Sequence, residues 1–241
     1  MNDRERFNAT MHYQPRDRSP ICDFGFWKET IILWYDQGLP RNVIAANTDM
    51  FFGMDFGLDW IGTDVNVGLE PLFDEVVLED HGDYEIVQQK DGVRVLRKKF
   101  MGTIPQHQGH LLVDRASWEK HYKPRLDPTT PRRYPSDWDS RVRNWRNPKR
   151  RNVVVLPGGS LYGWIRDWMG LEAVSLLVYD DPVLFEEMVT TVADCIIGVL
   201  TRVLETGGHF DGVAMWEDMC YKAGPLLSPQ HFKRFLVPHY R

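Results

Sequence analysis

Apolar residues along this chain change their spacing several times, and each change marks an element. From Pro182 to Thr206 they fall at Met188, Val192, Cys195, Ile196, Val199 and Val203, the three-and-four spacing of a helix with one buried face. Asp180 or Asp181 supplies the cap, and Pro182 suits the first turn. Continuous apolar runs at Ile21 to Phe24, in "NVVVLPGG" and in "FDGVAMWED" are short and read as buried parallel strands. Helical stretches lie among them: one from Asn2 or Asp3 to about His12, and one in "FWKETIILWYDQGLP" closed by Gly38 and Pro40, a usual stop signal. This alternation predicts an α/β fold. Between Asp74 and Phe100 the pattern changes, because "DEVVLED" and "DYEIVQQKDGVRVLRKKF" carry β-branched runs around Asp91-Gly92, a strong hairpin signal. An antiparallel excursion is expected there. Residues 101 to 151 are rich in proline and arginine, with short helical pieces around Trp118 and Trp138, and read as a surface insertion over the scaffold.

Composition narrows the class. With 241 residues, 43% of them hydrophobic and 12% aromatic, the chain can bury a large core. The net charge of -5 is ordinary for a soluble protein. No run approaches the roughly 20 apolar residues of a membrane helix, so no membrane is expected. The opening "MNDRERF" lacks the apolar region of a secretion signal, which predicts a cytoplasmic location. Three cysteines, Cys22, Cys195 and Cys220, are too few and scattered for a disulfide framework or a zinc ribbon. The stretch "PRRYPSDWDSRVRNWRNPKRRN" interleaves eight arginines and lysines with aromatic residues. Asp137 and Asp139 punctuate it, and the rest of the chain is acidic. It therefore reads as a solvated insertion, or a rim attracting an anionic substrate, and not as a nucleic-acid surface.

In parallel α/β folds the C-terminal ends of strands carry the chemistry, and three such ends hold reactive side chains. "CDFGFW" offers Asp23 and Trp27 after the first strand. In "GGSLYGWIRDW", Gly158 and Gly159 let the backbone turn closely, Ser160 opens a helix with free amides behind it, and Arg166 comes one or two turns later. Such amides attract a carboxylate or a phosphate, although a plain turn with an N-cap explains the same residues. The glycine spacing matches neither a dinucleotide fingerprint nor a phosphate loop. Glu217 and Asp218 come after the last strand, and adjacent carboxylates repel unless they are solvated or put to use.

Three blocks, "NDRERFNATMHYQPRDRSPICDFGFW", "GSLYGWIRDWMGLE" with "YDDPVLFEEMV", and "WEDMCYKAGPLLSPQHFKRFLVPHYR", resemble successive parts of the uroporphyrinogen decarboxylase superfamily. The resemblance is weakest between about 75 and 150. It implies a (β/α)8 TIM-barrel type fold in a single domain over 1–241, with an insertion at about 75–151, of which this chain is the amino-terminal two thirds. A barrel incomplete at its C-terminus is expected to expose strand edges and to aggregate or dimerise, and the superfamily favours homodimers.

The superfamily contains decarboxylases of a carboxylate-rich tetrapyrrole and zinc-dependent methyltransferases that serve a corrinoid protein and a thiol. In the decarboxylases the first strand runs into a segment whose arginines clamp substrate carboxylates. Alignment on Pro20 places Gly25 and Glu29 at those positions, so tetrapyrrole decarboxylation loses its clamps. The methyltransferases' zinc ligands would all fall past Arg241, so the chain itself supplies no cofactor site, and zinc would depend on ligands past residue 241. The resemblance thus implies decarboxylation or methyl transfer on a small or tetrapyrrole- or corrinoid-linked substrate. Glu217 or Asp218 would act as general acid/base, Asp23 and Trp27 would shape the pocket, and Ser160, Tyr162 and Arg166 would orient the substrate. The alternative is a non-catalytic module that binds a tetrapyrrole or corrinoid without turning it over.

Overall fold

The computed structural model describes residues 1–57, 62–100, 102 and 104–241. The first helix, α1 (Asp3–Met11), starts where the sequence places it. Asn2 accepts from the Glu5 amide and Glu5 accepts from the Asn2 amide, both at 2.9 Å, a reciprocal cap that satisfies two otherwise orphaned donors. Strand β1 (Cys22–Asp23) leads through α2 (Lys28–Asp36) and α3 (Thr48–Phe52) to β2 (Phe56–Gly57), which pairs with β1 in parallel.

The excursion is a four-stranded antiparallel meander of β3 (Val76–His81), β4 (Tyr84–Gln88), β5 (Val93–Lys98) and β6 (Gln106–His110), in that spatial order. The β4–β5 turn falls at Asp91-Gly92 as expected, with Gly92 at φ 84°. Val87, Val93 and Val95 form its own small core. Strand β6, "QHQGH", has no β-branched pattern, so only its pairing with β5 makes it a strand.

The proline- and arginine-rich segment departs from its expected role. A helical run starts at α4 (Arg115–Ser117), continues as a π turn over Trp118–Tyr122, and tightens to a 3₁₀ turn at Lys123–Leu126. It presents Trp118, Tyr122 and Leu126 at spacings of four, and these join Trp145 of α5 (Trp138–Arg146) in the main hydrophobic core. The insertion supplies core instead of lying solvated over one. Of its basic run, Arg133 and Arg150 are buried, while Arg132, Arg143, Arg146, Lys149 and Arg151 stay exposed as expected. Arg133 is fully buried and donates to four backbone carbonyls, those of Asp127, Asn66, Gly68 and Arg125, at 2.6–3.1 Å. A charge pattern reads as solvated only while no partners are known, and here folding supplies the carbonyls that make burial tolerable.

Strand β7 (Val155–Gly159) is followed by α6 (Gly163–Met169), α7 (Leu171–Asp180), the long α8 (Pro182–Leu204) and β8 (Gly212–Met215), which pairs with β7 in parallel. Asp181 caps α8 by accepting from the Leu184 amide at 2.9 Å. All six apolar residues read from the sequence as its stripe are buried. Glu187, also on α8, accepts from Arg115 at 2.6 Å, Lys123 at 2.8 Å and the Trp118 indole at 3.3 Å. Lys123 and Arg115 together hold its carboxyl down at about 2 from an ordinary 4.5, against a smaller opposing effect of burial. A depressed acid stabilises the fold above its unfolded value, and that contribution is lost as pH falls through the folded value. The destabilisation caused by Glu187→Gln, monitored by urea denaturation, is therefore expected to be full above about pH 4.5 and to shrink toward about pH 2. An effect independent of pH would show that the carboxylate is not ion-paired in solution.

Past β8 come a short hairpin, β9 (Cys220–Tyr221) with β10 (Gly224–Pro225), and a closing helical run. That run is α9 (Pro229–His231), a π turn over Phe232–Leu236 and α10 (Val237–Tyr240), capped by Ser228. Among the described residues no helix is long and apolar enough to cross a membrane. At the N-terminal end of β8, Asp211 is nearly sealed from solvent and gathers Arg4 of α1 at 2.8 Å, Arg150 at 2.5 Å, Asn8 at 3.0 Å and the Val154 amide at 2.9 Å. This carboxylate ties the first helix to the start of β7 and β8.

Candidate functional site

The C-terminal ends of β7 and β8 are brought together by glycines. Gly159 sits at φ 62°, and a Cβ there would lie 2.6 Å from the Trp164 ring. At Gly158 it would lie 2.9 Å from the Ala214 carbonyl. Only residues without a side chain admit this approach. The pairing continues past β8, with the Trp216 amide donating to the Gly159 carbonyl at 2.9 Å, so the next residue, Glu217, arrives at the start of α6.

There Glu217 fills the anion-attracting amides itself. It accepts from the backbone N–H groups of Leu161, of Tyr162 at 3.2 Å and of Gly163 at 3.0 Å, and from the Tyr240 hydroxyl at 2.6 Å. The amides of "GGSLYGW", read from sequence as attracting a carboxylate or phosphate, are occupied by a carboxylate of the protein itself. Burial, and after it the hydrogen bond and charge of Glu217, hold the Tyr240 phenol far above its ordinary range, so Tyr240 stays the donor. Ser160 does not cap α6. It is buried, and its hydroxyl has no partner among the described residues. Tyr162 is fully buried, and its hydroxyl reaches the Leu226 carbonyl at 3.4 Å.

Asp218 is exposed and takes a 3.0 Å ion pair from Arg166, which also holds Asp167 at 3.0 Å. Burial disfavours the Arg166 charge, but these two carboxylates outweigh it and raise its pKa. Arg166 is thus anchored beside Asp218. The two carboxylates that sequence alone could not tell apart hold different positions. Glu217 faces four fixed donors, while Asp218 meets one guanidinium at the rim.

The expected pocket residues of β1 are only partly in place. Asp23 turns back to accept from the Gly25 amide at 2.9 Å, and Trp27 is half exposed beside Gly102. Glu29 accepts from the Gly102 amide at 2.6 Å. None of these lines the apolar cavity at the exits of β7 and β8. That cavity, of about 340 Å³, is walled by Phe24, Val67, Leu156, Pro157, Trp164 and Trp216 among others. Phe24 and Trp216 meet edge to face at 6.2 Å, joining the exit of β1 to the exit of β8. Phe24, Trp164, Trp216 and Tyr240 were not singled out from sequence, since aromatic residues adjoining a strand are usually core. Among the described residues no lysine or arginine lines this cavity. Nor do three His, Cys, Asp or Glu side chains converge among them to hold a metal ion. The described side chains of this chain alone therefore do not form a zinc site.

No protein-family model matches the chain, and no curated protein matches it either. Among solved structures it resembles a methyltransferase from Methanosarcina mazei, with a TM-score of 0.50 and 14% identity over 99% of this chain. The chain spans 65% of that structure's length. At this identity the likeness is one of fold.

Proposed function

We propose that this chain forms most of a decarboxylase-like barrel enzyme of the uroporphyrinogen decarboxylase superfamily, and that it takes part in methyl transfer to or from a small, largely apolar substrate. The observation that carries this reading is the aromatic-walled cavity bridged by Phe24 and Trp216, with Asp218 following two residues after Trp216 in the chain. The parallel pairs β1–β2 and β7–β8 are sectors of the barrel wall in this reading. Along β8, Ala214 lines the cavity, Val213 faces an apolar groove along α8, and Met215 borders both, with Trp216 lining the cavity just past the strand. The absence of cationic side chains among the described cavity residues favours methyl transfer over decarboxylation of a polyanion. The Methanosarcina mazei neighbour, itself named a methyltransferase, agrees with that choice. A corrinoid protein is the methyl-carrying partner that the resemblance implies.

In this scheme Asp218 is the general base. It would take the proton from the hydroxyl or thiol of the acceptor as that oxygen or sulfur bonds to the methyl carbon, the electron pair of the broken methyl bond staying on the methyl carrier, and Arg166 holds the carboxylate in place. Glu217 positions the loop by capping α6. Asp218→Asn is expected to lower kcat by on the order of 100-fold, within the usual contribution of a positioned base, while KM changes little. The pH–rate profile should lose its acidic limb in the same variant. An unchanged kcat would remove Asp218 from the chemistry. Quenching of tryptophan fluorescence by neutral aromatic compounds, but not by tetrapyrrole carboxylates, would test the cavity independently.

A further inference from the structure

At the end of β8 opposite Glu217 lies a second cavity, a polar one of about 270 Å³, lined by Asn2, Arg4, Glu5, Asn8, Lys149 and Arg150 together with Pro148. Its charges do not balance. Arg4 and Arg150 share a single carboxylate, Asp211, and Lys149 has no ion pair among the described residues. Glu5 is the opposing charge in the lining, and one of its oxygens is held by the Asn2 amide. Three cations thus face two carboxylates. The donors are also in surplus. The Arg150 side chain is almost completely buried, yet its Nε and Nη1 have no hydrogen-bond partner among the described residues. Arg4 uses Nε on Asp211 and Nη1 on the Pro148 carbonyl, which leaves Nη2 over. A buried guanidinium with two idle N–H groups is costly unless something accepts from it. A planar fork of this kind suits an oxygen-rich anion.

We propose that this cavity binds a small oxyanion of the phosphate class, held by Arg4, Lys149 and Arg150, and that the bound anion braces α1 against the base of β8. The Asn2 side-chain amide is placed to add a neutral donor. Such a site lies at the far end of the strands from Asp218, so it is independent of the proposed methyl transfer and stands if that reading falls.

Thermal unfolding of the full chain, with inorganic phosphate as probe and ionic strength held constant with sodium chloride, tests it. Lys149 is exposed and outside the Asp211 network, so Lys149→Glu should fold normally. The wild type is expected to show a saturable rise in Tm with phosphate. In Lys149→Glu the concentration for half of that rise should increase on the order of tenfold or more, as for the loss of one charge-assisted hydrogen bond. Phosphate also stabilises proteins in general by exclusion from their surface. Superimposable curves for the two proteins would reduce its effect to that and overturn the proposal, as would no rise at all. Arg150→Lys offers a second variant that keeps the charge while removing the fork, and it should weaken phosphate binding without abolishing folding.

Discussion

Asp211→Ala should lower the free energy of unfolding by about 3–5 kcal/mol, the usual consequence of stranding a buried ion-pair partner. That is a large share of the roughly 5–15 kcal/mol that holds a domain together. The size reflects what the carboxylate does. It neutralises Arg150, whose side chain is 1% exposed, and Arg4, whose side chain is 19% exposed, while accepting from Asn8 and the Val154 amide. Alanine leaves the Arg150 charge buried with nothing to offset it, and burial already works to lower the pKa of that guanidinium. A double variant, Asp211→Ala with Arg150→Met, should be more stable than Asp211→Ala alone, because it removes the unpaired charge along with its partner. Urea denaturation of the three proteins makes the comparison. A cost below about 1 kcal/mol for Asp211→Ala would mean that solvent reaches the cluster and that the ion pairs are exposed ones.

Glu217→Ala is the second large effect expected, at about 2–4 kcal/mol. It removes the side-chain acceptor that holds the start of α6, comparable to losing an N-cap, and it strands the Tyr240 hydroxyl in a half-buried site. Glu217→Gln is the more informative change. Glutamine keeps one oxygen, but its amide group must turn its own N–H toward the Gly163 amide or toward the Leu161 and Tyr240 donors. A donor then faces a donor, so part of the loss should remain. The partner variant Tyr240→Phe should cost less, on the order of 1 kcal/mol for one hydrogen bond, and combining it with Glu217→Ala should give less than the sum of the two. If Glu217 were instead an exposed acid serving only catalysis, Glu217→Gln would leave stability within about 0.5 kcal/mol of the wild type. Stability and activity measured on the same variants therefore separate a positioning role for Glu217 from a chemical role for Asp218.

Periodicity was enough for the elements whose burial repeats along the chain. The stripe of α8, the cap at Asp181, the hairpin at Asp91-Gly92 and the buried apolar run of β7 all come from local spacing, whereas β8 pairs in parallel as read but leaves Val213, Ala214 and Met215 exposed instead of buried. A one-sided helix or an alternating hairpin has few ways to hide its apolar face. The same reasoning misjudged the segment around Trp118. Three large side chains at four-residue spacing were present in the sequence, but the surrounding prolines and arginines gave the stronger local signal.

Partners distant in sequence were decided by folding. Glu217 meets amides 54 to 56 positions away, Asp211 meets Arg4 across 207, and Arg133 finds two of its four carbonyls, those of Asn66 and Gly68, on a segment more than 60 residues earlier. Residue types alone announced an anion-attracting turn and a pair of carboxylates near a strand end. They did not reveal that one carboxylate would occupy the turn and leave the other at the rim. A hydrogen bond depends on a few tenths of an ångström and a direction, and only the packed β7–β8 pair with its glycines sets both.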